Sequence, residues 1–166
     1  MHLLVSNDQG RTWSYRCPIA ADDSVTFGET SLYLTAKGDL VAFMRTGNHQ
    51  GKPAIARSTD GGKSFGPWLD MGFVAEPLQA TRVGEKGVLL AYGYRRPPYG
   101  IRARLLNADC SDFASAPEVI LRDDGGGVDL GYPWSIELPD GKFLVCYYFN
   151  QGNGPRHIAG TIVDVR

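Results

Sequence analysis

The sequence predicts an all-β chain assembled from repeated four-stranded units, and three observations predict it. Twenty-one glycines and ten prolines punctuate short apolar stretches throughout the 166 residues, as tight turns punctuate strands. No stretch carries sustained helical periodicity. An eight-residue motif, S-x-D-x-G-x-[TS]-[WF], occurs at residues 6–13 and again at 58–65, a period of about 50 residues.

The motif has a mechanical reading. A strand ends at Ser6 or Ser58. Asp8 and Gly10, or Asp60 and Gly62, make a tight turn in which the Asp bonds backbone amides and the Gly supplies a backbone angle that other residues resist. The aromatic, Trp13 or Phe65, opens the next strand and fills the gap between neighbouring units. All eight residues read as structural. A degraded third copy ends at Phe113, within residues 106–113. Aligned on that aromatic it has lost the Ser and the Gly, and Asp109 falls one place late.

The strands follow in order. Residues 2–6 and 13–16 bracket the first motif. Residues 31–35, 40–45, 53–58 and 65–70 make a four-stranded unit around the second. Residues 78–83, 88–95, 100–106 and 117–121 make another, and 133–138, 142–149 and 157–163 a three-stranded one. Units of four strands at this period are blades of a β-propeller. The expected division is a half blade at 1–24, blades at 25–72 and 73–124, and an incomplete blade at 125–166, in one partial propeller domain. Propellers close with about 4–8 blades, so missing N-terminal blades are expected in a longer chain. Alone, the chain is expected to expose strand edges and to be inactive.

Composition narrows the function. The net charge is −1 and the 17 Lys and Arg are scattered, which argues against a nucleic-acid partner. No apolar run approaches the ~18 residues of a membrane span, and the first residues lack the basic and apolar regions of a signal peptide. Cys17, Cys110 and Cys146 are too few and too far apart for a disulfide framework and read as small buried hydrophobes. No metal site and no cofactor is expected. Asp123, Asp124 and the three glycines after them lack the spacing of a calcium loop.

Strand direction places the motif turns on the same face as the turns between first and second strands, which Gly38, Gly87 and Gly141 anchor. The opposite face receives the starts of first strands and the ends of second strands, near the axis where a ligand pocket forms. Glu29 and Tyr132 stand the same distance before Gly38 and Gly141, at equivalent points of different blades. Arg45 and Arg95 end second strands on the same rim. Arg offers a planar fork that matches a carboxylate, and a Tyr beside a Glu base can act as a nucleophile. Glu76 is an alternative to Glu29, and Arg96 and Arg102 are alternatives to Arg95. Trp134 is either a sugar platform or part of an inter-blade layer, and His157 is a further pocket candidate.

These residues resemble the C-terminal half of the sialidase (neuraminidase) superfamily, Asp-box propellers also called BNR-repeat proteins. The likeness rests on residues 28–32, on 38–45 ending in Arg45, on the motif at 58–65, and on 131–135 followed by 138–141 and 146–148. It implies a six-bladed propeller that removes a terminal sialic acid. Tyr132 would be the nucleophile, Glu29 its base, and Arg45 with Arg95 (or Arg102) part of a carboxylate clamp. It further implies that the acid/base Asp and first clamp Arg lie in N-terminal blades, and a secreted or periplasmic protein. Pro133 stands where the family places Ser. The alternatives are a non-catalytic carbohydrate-binding propeller, or a hydrolase or lyase acting on another acidic sugar.

Overall fold

The computed structural model describes residues 1–85 and 87–165. Among these, thirteen strands form four antiparallel sheets. β1 (His2–Val5) pairs with β2 (Ser14–Pro18). β3 (Phe27–Leu34), β4 (Leu40–Thr46), β5 (Ala54–Ser58) and β6 (Leu69–Asp70) follow in order in a four-stranded sheet. β7 (Leu78–Val83), β8 (Gly87–Tyr94), β9 (Tyr99–Asn107) and β10 (Glu118–Gly125) form another, and β11 (Gly131–Glu137), β12 (Phe143–Phe149) and β13 (His157–Val163) a three-stranded one.

The sheets stack face to face, and the second strand of each sheet shows why. Side chains alternate across a strand, so β4 sends Val41 and Phe43 into a core shared with Val88, Leu90 and Tyr92 of β8. Its Ala42 and Met44 enter a core with Leu3 and Cys17 on the other side. β8 repeats the device, turning Leu89 and Ala91 towards Phe143, Val145, Tyr147 and Phe149. A strand buried on both faces needs apolar residues throughout, which is why these strands read as unbroken hydrophobic runs. The result is a partial β-propeller.

The inner strands β3, β7 and β11 are laced together by polar side chains. Ser31 Oγ accepts from Ala80 N at 3.0 Å, Arg82 donates to the Leu34 carbonyl, and Gln79 Oε1 accepts from Ser135 N at 3.1 Å and Ser135 Oγ at 2.9 Å. β7 therefore sits between β3 and β11 and fixes their separation.

The two motif turns share one hydrogen-bond pattern. Ser6 Oγ and Ser58 Oγ each donate to the Asp two residues on at 2.8 Å, and accept from the amides of Gly10 and Gly62 at 2.7 and 2.9 Å. Asp8 and Asp60 also hold the hydroxyls of Thr12 and Ser64, each at 2.6 Å. The third turn obeys a register different from the aromatic-based one. Asn107 Oδ1 takes the place of Ser Oγ, accepting from Ser111 N at 3.0 Å, while Asp109 Oδ1 accepts from the same amide at 3.2 Å. Gln9, Gly61 and Cys110, one after the Asp in each turn, all have left-handed φ (62°, 73° and 60°). Asp109 is thus in place and Phe113 comes one residue early. Lys37, in the β3–β4 turn, lies 3.7 Å from Asp109, so the motif turns and first-to-second-strand turns share a face.

Other expectations change as well. The strand expected at 65–70 is reduced to Leu69–Asp70, because Pro67 has no N–H for the ladder; only Gly66 N reaches the Arg57 carbonyl, at 2.9 Å. The strand expected at 117–121 runs on to Gly125, and Asp124 is bound by Arg122 at 2.6 Å. Gly87 begins β8 rather than anchoring a turn, and the left-handed position falls on Gly84.

Candidate functional site

Glu29 and Tyr132 each stand in a β-bulge at the start of an inner strand. Between β3 and β4 the register slips from Phe27↔Thr46 to Thr30↔Met44, leaving Gly28 and Glu29 opposite Arg45. Between β11 and β12 it slips from Gly131↔Tyr148 to Trp134↔Cys146, leaving Tyr132 and Pro133 opposite Tyr147. A bulge bends its strand and re-aims a side chain. Pro133 costs no ladder bond there, because a bulge residue needs none.

The backbone of Tyr132 is left-handed (φ 49°), following Gly131 at φ 120°. A non-glycine residue in that region is strained, and such strain persists only where surroundings impose it. Close contact between β8 and β11 is part of that imposition. A Cβ on Gly93 would lie 2.5 Å from the Glu76 carbonyl oxygen and 3.2 Å from Gly131 Cα.

The bulges bring the side chains together. Arg45 Nη1 donates to both carboxylate oxygens of Glu29, at 3.0 and 3.3 Å, and the Tyr132 hydroxyl donates to Glu29 Oε1. The Arg95 guanidinium stacks on the Tyr132 ring, 5.7 Å from its centroid. The Tyr132 hydroxyl, opposed by partial burial and aided by Arg45, holds the Glu29 carboxyl below the usual carboxylate range. In return the Glu29 carboxylate, with burial, pushes the Tyr132 phenol up, against the opposing charges of Arg45 and Arg95. The proton therefore rests on Tyr132, with an ionised acceptor beside it.

A cleft of about 230 Å³ opens beside this group, walled by Glu29, Pro77, Leu78, Tyr132, Pro133 and Trp134. Tyr132 is 42% exposed and Trp134 70% exposed. Alternation along β11 turns Trp134 to the cleft side rather than into an inter-sheet core.

Arg102 is not brought to this group. It is 9% exposed on β9, ion-paired with Glu118, and its guanidinium lies 3.4 Å from the centroid of the Tyr94 ring. Its position in mid-strand, between two further strands, is the physical reason. Arg96 is exposed and donates to the Gln50 carbonyl at 3.3 Å. His157 opens β13 against Phe149, with Nδ1 3.2 Å from the Pro155 carbonyl oxygen.

Two neighbours escaped the sequence reading. Tyr148 on β12 lies 5.9 Å from Tyr132, ring to ring, and its hydroxyl donates to Asp129 Oδ1 at 2.7 Å. The signal was the alternation of β12, which buries Tyr147 and turns Tyr148 to the side of Tyr132.

No protein-family model and no curated protein matches the chain. Among solved structures it is similar to a protein of unknown function from Dyadobacter fermentans DSM 18053, at 55% identity and a TM-score of 0.97, over 99% of this chain and 45% of that one. The chain thus spans less than half the length of that relative. It is also similar to the K499G mutant of NanB sialidase from Streptococcus pneumoniae (16% identity, TM-score 0.63, 98% of this chain and 27% of that one). An endo-arabinase from Bacteroides thetaiotaomicron VPI-5482 is likewise similar (17% identity, TM-score 0.63, 90% and 62%). At such identities the last two likenesses establish the fold.

Proposed function

We propose that the protein is a carbohydrate-active propeller whose Glu29–Tyr132 pair and flanking arginines act on a terminal acidic sugar, sialic acid foremost. The observation that carries this reading is the hydroxyl of Tyr132 on the Glu29 carboxylate, between two arginines and at the mouth of a cleft. The propeller likeness to a sialidase and an arabinase, both named for acting on glycans, supports it at the level of the fold.

In the proposed reaction, Arg45 and Arg95 hold the substrate carboxylate and orient the sugar. The oxygen of Tyr132 attacks the anomeric carbon while its proton passes to Glu29. The bond to the leaving group breaks as the tyrosyl–sugar bond forms. Water then replaces Tyr132 at the anomeric carbon, giving its proton to the group that protonated the leaving alcohol, and the proton on Glu29 returns to the phenol. A neutral nucleophile suits this carbon, since its own carboxylate would repel an anionic one. The group that protonates the leaving alcohol belongs, in this proposal, to further blades of a longer chain.

The test is hydrolysis of a chromogenic sialoside by the full-length protein, with Tyr132→Phe and Glu29→Gln beside wild type. Loss of about 100-fold or more in kcat for each is expected, in the range general-base removal gives. Equal turnover by Tyr132→Phe and wild type overturns the nucleophile role. A uronic-acid glycoside in the same panel tests a hydrolase or lyase for another acidic sugar.

A second reading, binding without turnover, draws on the Glu29 carboxylate itself. Divided between Arg45 and Tyr132, and held below the usual range, it is a weakened base. Saturable binding of a sialoside with no product from wild type favours that reading.

A further inference from the structure

We propose that Tyr148 and Asp129 are positioning residues that hold the Arg95 guanidinium in place over Tyr132, ready for the carboxylate of an acidic sugar. The proposal rests on the carboxylate-binding role given to Arg95 above, and its geometry stands apart from that role.

The argument begins with the valence of a phenol. Tyr148 has one O–H donor, and Asp129 Oδ1 takes it at 2.7 Å. The lone pairs that remain are the only groups the hydroxyl can offer another partner. Arg95 Nη2 donates to that oxygen at 3.3 Å. Asp129 therefore fixes the Tyr148 hydroxyl as an acceptor towards Arg95. A hydroxyl free to rotate would spend part of its time presenting its hydrogen to the cation instead.

Arg95 has a second anchor. Its Nε donates to the Leu130 carbonyl at 3.1 Å, two residues before the Tyr132–Pro133 bulge. Two bonds in the plane of one guanidinium define its orientation, and three of its five N–H donors remain for a ligand. The guanidinium lies 5.7 Å from the Tyr132 centroid, and the Tyr148 ring lies 5.9 Å from the same ring. Arg95, Tyr148 and Tyr132 thus pack as a unit.

The chain of contacts ends on Arg156, whose Nε donates to the other oxygen of Asp129 at 2.6 Å. With one oxygen on Arg156 and one on Tyr148, the Asp129 carboxylate has two directions fixed at once. The segment between β10 and β11 and the entry to β13 are joined through it. A flexible arginine loses rotamer entropy when it clamps a ligand, and pre-ordering moves that cost from the binding step into the folded protein.

The experiment compares wild type, Tyr148→Phe, Asp129→Asn and Asp129→Ala in the full-length protein with two readouts. The first is hydrogen exchange of the Arg95 Nε–H, followed by NMR of protein carrying ¹⁵N-arginine. Exchange about tenfold faster in Tyr148→Phe and Asp129→Ala, with Asp129→Asn near wild type because an amide oxygen still accepts from Tyr148, is expected. The second is the dissociation constant for N-acetylneuraminate and for glucuronate, by calorimetry. A five- to twentyfold weakening in Tyr148→Phe for the sugar bound by wild type, with partial recovery in Asp129→Asn against Asp129→Ala, is expected.

Unchanged Nε–H exchange in Tyr148→Phe overturns the positioning role, whatever the sugars do. Faster exchange with no change in affinity for a sugar that wild type binds overturns the link between positioning and recognition. Faster exchange in a protein that binds neither acidic sugar leaves the positioning intact and refutes the acidic-sugar reading of the site.

Discussion

Tyr132 gives its hydroxyl hydrogen to Glu29 across 103 positions of sequence, from the bulge of one inner strand to the bulge of another. Each group alters the ionisation of the other. The Tyr132 hydrogen bond leads the influences that lower the Glu29 carboxyl, and Arg45 adds both its charge and its own hydrogen bond. Removing the phenol in Tyr132→Phe, or the cation in Arg45→Ala, should therefore raise the Glu29 pKa. Carboxyl ¹³C chemical shifts of Glu29, titrated with pH in the three proteins, measure this. An unchanged Glu29 pKa in Tyr132→Phe would contradict the coupling.

Glu118 is the hub of a different cluster. It pairs with Arg102, accepts from the Tyr92 hydroxyl at 2.8 Å and lies 3.8 Å from Arg104 Nη2. Glu118→Ala strands the largely buried Arg102 guanidinium and the Tyr92 hydroxyl hydrogen, while Arg104 keeps its bonds to the Tyr92 hydroxyl and the Ala116 carbonyl. Such a loss costs about 3–5 kcal/mol, read as a lower urea midpoint. Arg102→Ala should destabilise the protein while leaving sugar affinity within about twofold of wild type. A selective loss of affinity in a fully folded Arg102→Ala protein would return Arg102 to the site.

Gly93 and Gly131 touch backbone to backbone, where a methyl group meets the Glu76 carbonyl. Gly93→Ala forces β8 and β11 apart. A destabilisation of about 1–3 kcal/mol is expected, as for overpacking elsewhere, together with loss of the Glu29–Tyr132 hydrogen bond. Thermal unfolding and a crystal structure of the variant check both parts. An undisturbed melting temperature would contradict the close packing of Gly93 against Glu76 and Gly131.

The motif turns carry an acid sensitivity. Chiefly through the Thr12 hydroxyl, the Asp8 carboxyl falls from 3.8 to about 2, and the Ser64 hydroxyl leads the lowering of Asp60 below its ordinary value. A depressed carboxyl stabilises the fold above its unfolded value and loses that contribution as pH falls through the folded one. Stability should therefore decline from about pH 4 towards pH 2. Asp60→Asn should be less stable at neutral pH and flatter over that window, by urea unfolding at a series of pH values.

Much of this architecture was legible in the sequence, because strand alternation and turn chemistry are local. β7 coincides with its predicted bounds at 78–83, and β13 does so at 157–163. The bulges were not legible. They arise from the pairing of β3 with β4 and of β11 with β12, and register is a relation between strands. Glu29 and Tyr132 could be placed at equivalent points by counting from Gly38 and Gly141, but not aimed at one another. The third turn was misaligned because Phe113 is the more conspicuous residue, whereas Asn107 and Asp109 carry the hydrogen bonds. Arg95 and Arg102 are chemically alike, and only their places relative to the ends of β8 and β9 separate them. Tyr148 enters the sequence pattern only as part of the 146–148 segment, and its place beside Tyr132 follows from β12 turning Tyr147 and Tyr148 to opposite faces.

The interposed strand β7 has a consequence for how the site reports on assembly. Glu29 and Tyr132 belong to sheets that never pair with one another, so the gap between them is the sum of two stacking distances, β3 to β7 and β7 to β11. An error of a few tenths of an ångström at each step accumulates, and a misplacement of about 1 Å can cost on the order of 100-fold in rate. The phenol–carboxylate contact is in effect a tolerance gauge: it closes only when all three layers are stacked to specification.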